Sequence, residues 1–314
     1  MESKNNWKAW LYLAPVIILL AVFTFYPIIQ TVLYSFYKDY NYITGIHQGF
    51  TAENYTRIFT DPYAKYVVLE NAIPNTLLLT FITVPLSIFI SLAIAIGLNS
   101  IKFLKKLFQT IFFMPYVTNA IAIGMVFSII FDTKFGVFNT IFGTPGKAWI
   151  FPNLDDQVFP SYWAGLFATC FYIIWHSLPY KILIFLGGLQ NIDAQYYDAA
   201  KIDGASKFKT VRRVTIPLLS PQILYIMITS FIGAFKEYNS VIGLFGSDGG
   251  QFEYVEGQPD TMKTIVFYIY ENLGSKTGGA GHVEYASAVA VMLFALILAF
   301  TGIQFLVSKR RVHY

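Results

Sequence analysis

Apolar residues fall in blocks much longer than a strand or a soluble amphipathic helix requires, separated by shorter polar stretches. About 20 apolar residues cross about 30 Å of hydrocarbon. Six blocks reach that length: Trp10 to Thr31, Thr76 to Leu98, Phe108 to Phe131, Tyr162 to Leu186, Gln222 to Phe245 and Ala286 to Val307. Several contain Pro or Gly, which membrane helices accept where neighbours satisfy the freed backbone groups. The pattern predicts an all-α membrane protein with six transmembrane helices, residues 1–9 preceding a single membrane domain over 10–314. One polar stretch stands apart. Gln190 to Pro221 lies between two apolar blocks, carries most of the charge in its neighbourhood and ends on Pro217 and Pro221, so it is expected to stay in water.

Charge orients the blocks. Lys4 and Lys8, then Lys102, Lys105 and Lys106, then Lys201, Lys207, Lys209, Arg212 and Arg213, then Lys309, Arg310 and Arg311 all lie on one set of connections. The other set holds Lys38, Arg57, Lys65, Lys134, Lys147, Lys263 and Lys276, spread over longer loops that also carry Asp61, Asp155, Asp156, Glu253, Glu256 and Asp260. The excess of Lys and Arg on short cytoplasmic connections places both termini and the Gln190 to Pro221 stretch in the cytoplasm, where ATP is available.

Composition agrees and excludes several classes. The 314 residues are 55% hydrophobic and 13% charged, with a mean hydropathy of +0.53, too apolar for a soluble domain of this size. Net charge is +4, but the basic residues sit at the ends of apolar runs, where topology accounts for them without nucleic acid. The one cysteine, Cys170, lies in an apolar run, so neither an intramolecular disulfide nor a thiolate metal site is expected. The block after Lys8 is too long for a signal-peptide core and no small-residue cleavage site follows it, so it is expected to remain as the first helix.

Within Gln190 to Pro221, Tyr196 to Lys201 suits a short helix, Asp203-Gly204 suits a turn because glycine accepts positive φ, and Ala205 to Val214 suits a second helix. The residues Asp198-Ala199-Ala200, Asp203-Gly204-Ala205-Ser206, Phe208, Val211, Val214 and Pro217 resemble the EAA signature of ABC importer permeases. Asp198 stands where that family more often has Glu. The resemblance implies the type I ABC importer permease fold, with this stretch as the coupling helix that seats in a cleft of an ATP-hydrolysing subunit. It assigns Tyr196, Tyr197, Asp198, Ala199, Ala200, Asp203, Gly204, Ala205 and Pro217 to that contact.

Other stretches are similar to the maltose and glycerol-phosphate branch of the family. They include Phe50, Asn54, Tyr55, Asp61-Pro62 and Asn75-Thr76 in and after the first outer loop. Phe113-Met114-Pro115-Tyr116 opens the third block, and Phe131-Asp132, Phe135-Gly136 and Asn139 follow it. Trp175 to Tyr180 lies in the fourth block, and Pro259 to Met262 and Tyr285 to Ala288 lead into the last. Phe245 to Gly250 departs from the family's Leu-Thr-Gly-Gly-Gly-Pro.

Polar side chains inside spans cost about 2.5 to 3.5 kcal/mol each and normally face protein or a wet cavity. The fifth block has the densest group, Phe235, Lys236, Glu237, Tyr238 and Asn239; as one continuous helix it would carry Lys236 about 22 Å from Pro221. Aromatic faces and amides suit sugars, while Lys236 and Glu237 equally suit the outer interface or a partner subunit. The resemblance points to Tyr116 and Asn119 on the third span, His176, Ser177 and Tyr180 on the fourth, and Phe235, Lys236 and Asn239 on the fifth as the substrate pathway, and the aromatic ring of Tyr238 adds it to that set. His176 is read as a hydrogen-bonding group, there being no ladder of intramembrane carboxylates to serve a proton relay.

The expected function is therefore a non-catalytic permease subunit in a bacterial-type cytoplasmic membrane, importing a sugar. The chain has no Gly-x-x-x-x-Gly-Lys-Ser/Thr loop, so ATP and Mg are expected in two partner ATPase subunits. A second homologous permease and an extracellular solute-binding protein complete the expected assembly, and no cofactor, metal or nucleic acid is expected on this chain. With Lys236 as the one permanently charged candidate, a neutral di- or oligosaccharide is expected over a phosphorylated polyol. The alternative is a secondary transporter driven by an ion gradient, which would call for repeats and interrupted helices with ion ligands at the midplane. An intramembrane enzyme lacks any supporting motif.

Overall fold

The computed structural model describes residues 6–41, 43–101, 105–153, 158–275 and 282–308. Lys4, Lys102, Asp155, Asp156, Lys276, Lys309, Arg310 and Arg311, which entered the charge comparison, lie outside the described residues. Strand pairing among the described residues is limited to isolated bridges.

In chain order the helices are α1 (Trp10–Tyr34), α2 (Glu53–Thr60), α3 (Pro62–Ser100), α4 (Lys105–Val117), α5 (Ala120–Ile130) and α6 (Val137–Phe142). They continue with α7 (Tyr162–Gln190), α8 (Ala194–Ile202), α9 (Lys207–Leu218), α10 (Ser220–Phe235), α11 (Asn239–Phe245), α12 (Ile265–Tyr270) and α13 (Val283–Ser308). Four of them, α1, α3, α7 and α13, are long and apolar enough to cross a membrane alone. Two bent pairs, residues 109–130 and 207–235, raise the number to six if each pair counts as one span.

The first of these bends and a separate break after Phe235 correct two predicted spans. The third block turns by 104° between Val117 and Ala120. Asn119 makes the break affordable, because its side-chain oxygen accepts from the N–H groups of Ile121 at 2.9 Å and Ala122 at 3.2 Å and so starts a new helix. The fifth block is not one helix to Phe245. It stops at Phe235, and Lys236 (φ −100°, ψ 17°) and Tyr238 (φ −147°, ψ −42°) leave helical geometry. Glu237 accepts from the N–H groups of Tyr238 at 3.1 Å and Ser240 at 2.9 Å, capping α11. Lys236 thus follows a helix end and does not sit deep within a helix.

The chain forms two compact units, Met1–Lys65 with Tyr268–Ala295, and Tyr66–Phe267 with Leu296–Tyr314. In the first, α1 leaves its apolar side chains uncovered. Beyond it a turn pairs Tyr37 with Phe50 and Asn41 with Ile46. Buried Asn54 fastens this turn, donating to the carbonyls of Ser35 (2.9 Å) and Tyr37 (2.8 Å), and the Tyr55 hydroxyl bonds Ser35 Oγ at 2.7 Å. Arg57 hydrogen-bonds the Tyr285 hydroxyl and lies 4.3 Å over its ring. The Ala64 N–H, at 2.9 Å, and the nearby Arg57 guanidinium hold the Asp61 carboxyl below the usual carboxylate range.

In the second unit α3 and α7 pack along each other. Asn75 ties three elements: its amide donates to the carbonyls of Thr261 (2.8 Å) and Lys263 (2.9 Å), and its oxygen accepts from the Tyr162 hydroxyl at 2.8 Å. One core gathers Phe127, Phe131, Trp149, Tyr172, Val241 and Leu244; another gathers Leu98, Phe185, Leu189, Leu219 and Ile226 where α3, α7 and α10 meet. Helices α5 and α11 cross at Gly124 and Gly243, where a Cβ on Gly124 would fall 2.6 Å from Gly243 Cα, so only glycine permits the approach. The Phe131 to Asn139 motif is scaffold: Asp132 accepts from the N–H groups of Lys134 (2.9 Å) and Phe135 (2.7 Å), and Asn139 accepts from Trp149 Nε1 at 2.7 Å.

Candidate functional site

Two features of the second unit carry polarity that the fold alone does not require. The first is the elbow formed by α8 and α9. Asp193 caps α8 by accepting from the Gln195 N–H at 3.0 Å, and Ser206 caps α9 by accepting from the Lys209 N–H at 3.4 Å. Between them Gly204 adopts φ +65°, which costs a residue with a Cβ roughly 1–2 kcal/mol. The Ala205 N–H donates back to the Ala200 carbonyl at 2.9 Å, and the Tyr197 hydroxyl lies 3.3 Å from Thr215 Oγ1, so the two helices are bound to each other. Asp198 pairs with Lys201 of its own helix at 2.8 Å with both side chains exposed, a contact worth about 0.5 kcal/mol or less. Tyr196 and Ala199 are exposed, and Ala200 is buried.

The tip of this polar elbow carries two large apolar side chains, Ile202 at 87% exposure and Phe208 at 76%. Pro217 closes α9, which meets α10 at 68°. Leu219, fully buried at this corner, packs in the core shared by α3, α7 and α10. The elbow is therefore anchored to the membrane helices rather than hanging from a loose loop.

The second feature is a cavity of about 340 Å³ among α3, α4, α7 and α10. Helix α7 lines it with Ile173, His176, Ser177, Tyr180 and Lys181, whose spacing of three, four, seven and eight residues places them on one helical face. Helix α10 adds Thr229, Ser230, Gly233 and Ala234, with Glu237 just past its end, and Tyr116 comes from α4. The rings of Tyr116 and Tyr180 stack with centroids 5.8 Å apart, and the Tyr180 hydroxyl lies 3.1 Å from that of Tyr225. His176 Nε2 is buried and, among the described residues, has no hydrogen-bond partner. The chemistry on offer is an aromatic platform, several hydroxyls, an imidazole, a carboxylate and one ammonium.

Of the residues expected along the pathway, the cavity gathers Tyr116, His176, Ser177 and Tyr180. The other five are placed elsewhere. Asn119 caps α5, and Phe235 is buried against Phe81 and Phe300, with ring centroids 6.5 Å and 5.4 Å away. Lys236 and Asn239 are exposed beyond α10, and Tyr238 packs on Phe267 at 6.0 Å. Lys181, absent from the sequence-based set, is 5% exposed; its Nζ donates to Ser177 Oγ at 3.1 Å and to Ser87 Oγ. A lysine four residues after Ser177 on one face of an apolar helix was the available signal. Its presence in the wall removes the premise on which a neutral cargo was expected.

Comparison with known proteins gives these features a context. The family described as binding-protein-dependent transport system inner membrane component matches residues 87–313. The lactose transport system permease protein LacF of Rhizobium radiobacter is 30% identical over 97% of this chain and 95% of its own. The sulfoquinovosyl glycerol transport system permease protein SmoG of Agrobacterium fabrum is 30% identical over 96% and 91%. Among solved structures, a bacterial alginate ABC transporter in complex with alginate pentasaccharide-bound periplasmic protein has the same fold, with a TM-score of 0.73, 18% identity and coverage of 98% and 96%.

Proposed function

The chain belongs to the binding-protein-dependent transport system inner membrane component family, and from that premise we propose that it is the permease subunit through which an ATP-driven importer passes a sugar into the cytoplasm. The chain itself is not catalytic. ATP and Mg²⁺ are bound by two ATPase subunits, one docking on the elbow of α8 and α9 and the other on the matching elbow of a second permease. A solute-binding protein delivers cargo from outside, and both termini and the elbow face the cytoplasm, in line with the distribution of Lys and Arg.

One observation carries the mechanism: the elbow helix α9 runs through a 68° bend directly into α10, and α10 forms a wall of the cavity. Exposed Ile202 and Phe208 supply the apolar anchors a docking ATPase needs, at the apex of a rigid, capped turn. Displacing the apex moves α10 as a lever, which opens or closes the cavity by rigid-body motion. The cargo is a sugar because stacked tyrosines present apolar faces to ring C–H groups while Ser177, Thr229, Ser230 and His176 meet hydroxyls. The volume lies within the range of about 300–1,000 Å³ usual for small-molecule sites. Relatives named for lactose and sulfoquinovosyl glycerol support that cargo class. The ion-gradient alternative finds no support in the family match.

The test is uptake of labelled sugars by membrane vesicles holding the whole transporter, with ATP and ion gradients varied independently. Uptake is expected to require nucleotide and to survive an uncoupler. Uptake that persists without nucleotide and collapses with the uncoupler would contradict the proposal.

A further inference from the structure

We infer that Lys181 selects the cargo by charge, and that the sugar this permease carries bears an anionic group, a carboxylate or its equivalent, which the Lys181 ammonium receives. The inference rests on the import function proposed above and specifies its substrate. It begins from an imbalance. An ammonium has three donors, and Lys181 spends two of them on Ser177 Oγ and Ser87 Oγ. Each serine returns its own proton to its helix, Ser177 to the Ile174 carbonyl and Ser87 to the Val84 carbonyl, both at 3.0 Å. The serines are thereby fixed as acceptors toward Lys181, and they hold it in place without neutralising it.

Among the described residues no carboxylate lies within ion-pair distance of Lys181. The carboxylate that shares the cavity, Glu237, is engaged elsewhere, its Oε1 accepting from the Tyr238 and Ser240 N–H groups at the start of α11. A lysine 5% exposed in the middle of an apolar helix is costly, and a neutral acceptor could be met by Asn or Gln with no charge to desolvate. A cation retained there, with a donor uncommitted in a cavity wall, is compensated when an anion binds. His176 Nε2, also uncommitted, lies five residues earlier on α7, about 7.5 Å along the axis. An acid group at Lys181 thus leaves the rest of a sugar ring alongside His176 and the stacked tyrosines.

The experiment uses the assembled transporter, with its partner permease and ATPases, purified without the solute-binding protein so that the receptor's preference does not enter. Binding of two probes of similar size, digalacturonate and maltose, is read by thermal stabilisation over a concentration series. The native complex is expected to bind digalacturonate at least about tenfold more tightly than maltose. Lys181→Gln, which keeps hydrogen bonding and removes charge, is expected to bring that ratio near one, and Lys181→Arg to retain it. Should Lys181→Gln fail to assemble, the native preference together with Lys181→Arg decides the matter. Equal or tighter binding of maltose by the native complex, binding of neither probe, or an unchanged ratio in Lys181→Gln would overturn the inference. ATP-dependent uptake of either sugar by vesicles holding the same complex scores the import function separately: uptake of maltose alone would sustain import while removing the anionic cargo.

Discussion

The elbow and the cavity dispose of charge in opposite ways. On the elbow, Asp198 and Lys201 pair in the open and Lys207, Lys209 and Arg213 stand exposed, while the apolar side chains Ile202 and Phe208 are the ones placed where water should not favour them. In the cavity, set among apolar helices, the buried ammonium of Lys181 is the costly group, held by Ser87 and Ser177. In each place the proposed role falls to the side chain that runs against its environment: apolar anchors for a protein partner in the first, a cation for cargo in the second. The charge that is common on the elbow is cheap there, and its loss should matter little.

That contrast can be broken by substitution. The largest effect is expected from Ile202→Asp combined with Phe208→Asp, which removes both apolar anchors from the elbow. Loss of two interface anchors of about 2 kcal/mol each should lower retention of the ATPase on the purified permease by about a thousandfold, with the amount of permease in the membrane unchanged. Full retention in a pull-down would show that the apex is not the docking point. A smaller effect is expected in the cavity from Ser87→Ala, which removes one acceptor from a buried ammonium. A cost of about 1–3 kcal/mol predicts a loss of uptake of roughly tenfold, with ATPase retention unaffected. The smallest is Asp198→Asn. An exposed pair three residues apart should change neither retention nor uptake by more than about twofold, and a larger loss than that of Ser87→Ala would reverse the ranking on which the contrast depends.

The elbow was legible in the sequence because each of its parts is local. Asp203-Gly204 specifies a turn with positive φ, Tyr196 to Lys201 and Ala205 to Val214 suit the helices on either side of it, and the prolines mark where the segment returns to apolar chain. The breaks at Asn119 and at Lys236 to Tyr238 were not legible from apolar block length, which averages over a span and passes across two or three residues whose side chains cap a new helix. A fifth span continuous to Phe245 would put Phe235, Lys236, Tyr238 and Asn239 along a pathway. The structure turns Phe235 into a cluster with Phe81 and Phe300 and carries Lys236 out past the helix end. On α7 the helix is unbroken from end to end, so His176, Ser177 and Tyr180, which the resemblance indicated, share a face that lines the cavity. Lys181 belongs to the same face, but a single lysine in an apolar run gives no sign of which neighbours hold it until α3 supplies Ser87.

The central claim is that the elbow drives the cavity through α10. It is tested most directly by placing a cysteine at Thr229, on the cavity wall formed by α10, in a Cys170→Ala background, and measuring its modification by a membrane-impermeant thiol reagent in the complete transporter. Binding of ATP with hydrolysis blocked is expected to change the side of the membrane from which Thr229→Cys reacts, and Ile202→Asp with Phe208→Asp is expected to abolish that change. Reactivity from one side only, the same with and without bound nucleotide, in a complex whose ATPases turn over once the block on hydrolysis is lifted, would contradict it.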